Sequence, residues 1–119
     1  MGKTLVFGAS PNPSRYSNIA IKRLVENTIE TEAFGVRPGI VSGIQIKNKL
    51  DEFQNIDTVT LYINPKRQQG YYGQIVDLKP RRVIFNPGTE NREFQNILEE
   101  EGIQVENACT LVLLATGQY

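Results

Sequence analysis

The sequence predicts an α/β fold: a single domain over residues 1–119, arranged in three layers around a mainly parallel sheet of five or six strands. Three observations carry this. Short apolar runs rich in branched and aromatic residues recur along the chain, most of them closed by Gly or Pro. Between them lie segments whose apolar residues repeat at helical spacing, and strands alternating with helices imply parallel neighbours covered on both faces. A chain of 119 residues with 39% hydrophobic content is also long enough for one core, burying about two-thirds of its unfolded surface.

The elements follow in order. TLVF at 4–7, closed by Gly8, reads as a buried strand. Ser17 is placed to cap a helix whose apolar positions are Ile21, Leu24, Val25 and Thr28. Residues 31–36 give a second strand, ended by Arg37, Pro38 and Gly39, and residues 44–46 a short third one. A polar half-helix from about Lys49 to Phe53 precedes the strand at 59–63. Tyr71, Tyr72, Ile75 and Val76 recur at helical spacing before Pro80 stops them. VIF at 83–85 is another buried strand, and Phe94, Ile97 and Leu98 mark a helix that Gly102 ends. Residues 103–105 form a last short strand, and the apolar tail at 111–115 reads as helix or strand.

Composition narrows the function. Thirteen basic and thirteen acidic residues are interspersed, so the sequence offers no basic face to nucleic acid. No apolar run approaches the roughly 20 residues that span a bilayer, and the N-terminus lacks the layout of a signal peptide. The single cysteine, Cys109, has no internal partner, which fits a cytoplasmic setting, and it reads as a packed small hydrophobe. The chain contains no histidine, so it holds no Ser-His-Asp triad and lacks the commonest zinc ligand. Glu99, Glu100 and Glu101 sit at a polar helix end and read as solvated surface. Binding without catalysis is the expectation, with neither catalytic nor metal residues assigned.

In open parallel sheets ligands sit at the carboxyl ends of the strands. The first of these ends, at residues 8–16, carries Gly8, Ala9, Ser10, Asn12, Pro13, Arg15 and Tyr16 into a helix start. A helix N-terminus attracts phosphate, small residues let an anion reach the backbone, Ser10 adds a hydroxyl, and Arg15 adds a two-pronged cation. One glycine stands where the dinucleotide fingerprint Gly-x-Gly-x-x-Gly needs three. The second tip carries Arg37 and Pro38 where NAD enzymes hold an acid, which favours a ribose bearing an extra phosphate, as in NADP or coenzyme A.

The series GASPNPSRYSNIAIKRL, then VRP, LYINP, NPGTEN and GIQVENAC resembles the CoA-binding domain family. It is similar in particular to small stand-alone CoA-binding proteins and to the nucleotide domain of succinyl-CoA synthetase α subunits. The resemblance spans nearly the whole chain and implies a Rossmann-like fold that binds coenzyme A or an acyl-CoA. On it, the diphosphate lies along the loop from Gly8 to Arg15, with Ser10 a donor and Arg15 a cationic contact. Arg37 and Pro38 flank the adenosine end, with Arg37 facing the 3′-phosphate; Ile63 and Pro65 wall the adenine; Asn86, Pro87 and Gly88 lie near the pantetheine or the cleft floor. The chain departs from the family at the second tip, reading Val-Arg-Pro-Gly where Val-Asn-Pro and a lysine are usual. Two other readings compete: an NADP-dependent oxidoreductase fragment, and a regulatory subunit whose groove has lost its ligand. A homodimer through residues 111–114 requires that stretch to lie outside the core.

Overall fold

A computed structural model describes residues 2–119. Its elements run β1 (Lys3–Phe7), α1 (Tyr16–Glu26), β2 (Thr31–Phe34), β3 (Ile40–Val41), β4 (Ile44–Lys47), β5 (Ile56–Leu61), α2 (Pro65–Gln68), α3 (Tyr72–Asp77), β6 (Arg82–Phe85), α4 (Arg92–Glu100), β7 (Gln104–Asn107) and α5 (Thr110–Ala115). Short 3₁₀ turns at Leu50–Glu52 and Gln69–Tyr71 complete the chain.

The seven strands form one sheet in the order β3-β4-β2-β1-β5-β6-β7, parallel throughout except for β3. Alternation along β1 decides the two faces. Leu5 and Phe7 point to one side, where Val59, Leu61, Val83 and Phe85 join Ile75 of α3 and Phe94 and Leu98 of α4. Val6 points to the other, against Ile21 and Leu24 of α1, with Leu114 of α5 packed alongside. Phe7, Phe85 and Phe94 are almost wholly buried. Burying such a side chain is worth about 1.5–3 kcal/mol each, so both helical layers are fastened to the sheet.

The layers, the parallel sheet and the strand order are Rossmann-like. The sheet has seven strands rather than five or six. The additional strand is β3, which turns back on β4 through Ser42 and Gly43, both at positive φ (50° and 80°). Such a turn matches the twist of a two-residue hairpin. The tail at 111–115 is helical, and Leu114 packs inward while Val112 faces out. Ser17 does not cap α1: Arg15 occupies the cap position without a side-chain bond, and Ser17 is buried in the first turn.

Among the described residues, no helix is long and apolar enough to cross a membrane.

Candidate functional site

After β1 the chain moves outward to β2 and β4; after β5 it moves the other way, to β6 and β7. The carboxyl ends of β1 and β5 therefore flank a switch point, where parallel sheets leave a crevice. A groove of about 550 Å³ lies there. Gly8, Ala9 and Ser10 enter it from the end of β1, and Arg15, Tyr16 and Ser17 from the start of α1. Gly35, Val36 and Arg37 follow β2, and Tyr62, Ile63, Asn64, Arg67 and Tyr71 follow β5. Pro87, Gly88 and Thr89 close the side beyond β6.

Close backbone approach shapes the first wall. Gly8 has φ +98°, and a Cβ there would stand 2.7 Å from Ile63 Cγ2. A Cβ at Gly35 would stand 2.3 Å from the Ala9 carbonyl oxygen. The amides of Gly8 and Ala9, expected from the sequence to face an anion, both donate to the Phe34 carbonyl, at 2.9 and 2.8 Å. The loop's open donors lie further along. The amides of Ser10, Tyr16 and Ser17 meet no protein acceptor among the described residues. The Ser10 hydroxyl oxygen accepts from the Asn12 amide at 3.1 Å, which leaves its hydrogen free to donate outward. Asn12 organises the bend itself, accepting from the Ser14 amide at 3.0 Å and the Ser14 hydroxyl at 2.8 Å. With no side-chain cap and no acid in its first turn, α1 presents its positive end uncompensated.

The charges around the groove are one-sided. Arg15, Arg37 and Arg67 line it, and among the described residues none of the three has a carboxylate partner and no carboxylate lines the groove. A chain that is neutral overall thus concentrates three cations at one concave site, where low-dielectric walls strengthen their field. The floor is aromatic: Phe7 and Phe34 lie 4.6 Å apart between ring centres, and Tyr71 meets them edge-on at 5.1 and 5.6 Å. Tyr16 and Val36 stand exposed at the rim.

Of the residues singled out in the sequence, Gly8, Ala9, Ser10, Arg15, Tyr16, Arg37, Ile63, Pro87 and Gly88 come together in this groove. Asn12, Pro13, Pro38, Pro65 and Asn86 do not line it. Pro38 lies on a neighbouring cleft of about 290 Å³ between the ends of β2 and β4. Pro65 opens α2, where its missing N–H costs nothing. Asn86 is buried in the sheet: it donates to the Thr60 hydroxyl at 2.7 Å and the Leu61 carbonyl at 2.8 Å, and accepts from the Thr110 amide at 2.9 Å. It joins β5, β6 and α5. Cys109 is half-buried at the start of α5 and lies off the groove.

Ten groove residues were not assigned to the site from the sequence: Phe7, Ser17, Phe34, Gly35, Val36 and Tyr62, and, on the side of β5 and β6, Asn64, Arg67, Tyr71 and Thr89. Beneath them Gln68 is wholly buried and holds the tips after β5 and β6 together, with Asn91 donating to its side-chain oxygen at 3.0 Å. The Asn-Pro pair at 64–65 marks a strand end in the sequence, and Asn64 caps the turn that carries Arg67 by accepting from its amide at 2.9 Å. Burial holds the Tyr62 phenol up at about 12 against the opposing pull of the nearby Thr110 and Thr60 hydroxyls, and its buried oxygen makes no hydrogen bond of ordinary geometry among the described residues.

Comparison with known proteins adds to this geometry. The family described as CoA binding domain matches residues 2–115. An uncharacterized protein of known crystal structure is 47% identical, with a TM-score of 0.96 over 100% of this chain and 98% of its own. A hypothetical protein from Pyrococcus horikoshii is 29% identical, with a TM-score of 0.85 over 93% of this chain and 80% of its own. A Thermus thermophilus structure at 20% identity shares the fold, with a TM-score of 0.86 over 99% of this chain and 91% of its own. No curated protein matches the chain.

Proposed function

Because the chain belongs to the CoA binding domain family, we propose that it binds coenzyme A or an acyl-CoA at the switch-point groove, without turning it over. One observation carries the reading: three arginines without carboxylate partners surround a groove that opens onto an uncapped helix start. Coenzyme A brings a diphosphate and a 3′-phosphate, a charge that this cation count suits. The uncapped end of α1 and the Ser10 hydroxyl take the diphosphate together with Arg15. Arg37, at the end of β2, takes the 3′-phosphate. The aromatic floor supplies apolar area for the base or for the pantetheine arm.

The competing oxidoreductase reading needs a proton donor in the groove. Of the three tyrosines that line it, Tyr62 is held up at about 12 with its oxygen buried and is poorly suited to exchange protons at neutral pH. We place the protein in the cytoplasm on this reading, where its ligand and its single free thiol both belong.

Thermal unfolding with coenzyme A, acetyl-CoA, dephospho-CoA, NADP and NAD at matched concentrations tests it. A ligand at 100 times its Kd adds about 2.7 kcal/mol of stability. We expect a rise with coenzyme A, a smaller one with dephospho-CoA, and none in Arg15→Ala. A rise with NADP alone would favour the oxidoreductase reading, and a flat response to all five would sink both.

A further inference from the structure

We propose that Arg67 forms the second jaw of a diphosphate clamp with Arg15, an inference that rests on the coenzyme A reading above. The two residues follow β1 and β5, which are hydrogen-bonded neighbours. Their tips are therefore about 4.8 Å apart, the ordinary spacing between strands. Arg15 leads into α1, on one face of the sheet; Arg67 leads through the Gln69–Tyr71 turn toward α3, on the other. The two residues thus come to the switch-point crevice on segments that lead to opposite faces of the sheet. Both line the same groove, and neither is held by a carboxylate among the described residues.

Position distinguishes this role from the alternatives. Arg37 follows β2, on the far side of β1 from Arg67, so a phosphate held at Arg37 lies two strand spacings from the tip of β5. The pantetheine arm is long, and its thioester end is carried well past a residue one strand from the diphosphate. The group within reach of Arg67 is the bridging diphosphate. The backbone that carries Arg67 is fixed: its amide donates to Asn64 Oδ1, and the neighbouring Gln68 is wholly buried and bonded to Ile63 and Thr89. A clamp of this kind makes the diphosphate, rather than the nucleoside alone, the part of the ligand the groove selects.

Isothermal titration of the wild type, Arg67→Ala, Arg67→Lys and Arg37→Ala with coenzyme A, dephospho-CoA, ADP and AMP tests the clamp. Arg67→Ala should weaken coenzyme A and dephospho-CoA by the same factor, about ten- to a hundredfold, and narrow the preference for ADP over AMP that Arg15 and the start of α1 still supply. Arg67→Lys should recover part of that loss. Arg37→Ala should weaken coenzyme A alone and bring it level with dephospho-CoA. Affinities within twofold of wild type in Arg67→Ala, or a loss confined to coenzyme A, would overturn the clamp while leaving the binding reading intact. A wild-type chain that binds none of the four would overturn both.

Discussion

Gln68 and Thr89, 21 residues apart, are joined by a hydrogen bond of 2.8 Å from the Gln68 side-chain amide to the Thr89 carbonyl, deep beneath the groove. The same amide donates to the Ile63 carbonyl at 2.9 Å. One side chain therefore sets the distance between two walls. Gln68→Leu keeps comparable bulk but strands both carbonyls, and buried unsatisfied groups are costly. We expect a loss of about 2–4 kcal/mol in urea denaturation. Ligand affinity should fall as well in the fraction that stays folded, as the tip at Gly88 loosens.

Gly8→Ala should be severe. The position needs φ +98°, and the added methyl would sit 2.7 Å from Ile63 Cγ2. Left-handed strain and overpacking together give a loss of about 2–4 kcal/mol, read as a lower denaturant midpoint at unchanged slope. A variant as stable as wild type would mean that the first loop is more yielding than its contacts indicate.

Tyr62→Phe should be close to silent. The phenol oxygen is buried without a hydrogen bond of ordinary geometry, so removing it leaves no other group unsatisfied. Stability should stay within about 0.5 kcal/mol of wild type or rise. A loss above that would show that the hydroxyl holds a bond through a bound water.

Acid sensitivity should trace in part to Asp57. Its carboxylate is gripped by Arg81 at 2.9 and 3.0 Å, which lowers its pKa, with burial opposing and Thr58 assisting. A carboxyl group whose pKa is depressed by folding stabilises fully above its unfolded value, about 3.9. That contribution is lost as pH falls through the lower folded value. Arg81 is more than half exposed, so the pair is worth only about 0.5 kcal/mol. The Tm gap between wild type and Asp57→Asn should be constant above about pH 5 and close below about pH 4. A gap that widened in acid would contradict the assignment.

Local signals carried much of this fold and site. Apolar runs ended by Gly or Pro marked the strands, and Gly8, Arg15 and Arg37 were readable because strand tips in a parallel sheet have a known use. The Ser42-Gly43 pair was an equally plain hairpin signal, but the two-residue strand before it was too short to register. Asn86 was misplaced because an Asn-Pro-Gly stretch looks like a loop, whereas Asn86 lies against β5 and its polar groups are used inside the sheet. Gln68 was invisible for a related reason. A glutamine in a polar stretch reads as surface, and only the tertiary arrangement of two distant carbonyls makes it a buried strut. Arg67 shared that fate, since nothing near it in sequence says which strand lies next to its own.

The central placement of β1 also has a kinetic consequence. Phe7 pairs with Phe34 on one side and Leu61 on the other, and the groove is complete only when residues as distant as 7 and 89 have met. Such closures of long loops come at an entropic cost and are slow. A half-built chain has no pocket, so a small molecule cannot guide folding to it. Occupancy should therefore act almost wholly on the way out, prolonging the lifetime of the assembled state while refolding proceeds at its unliganded pace.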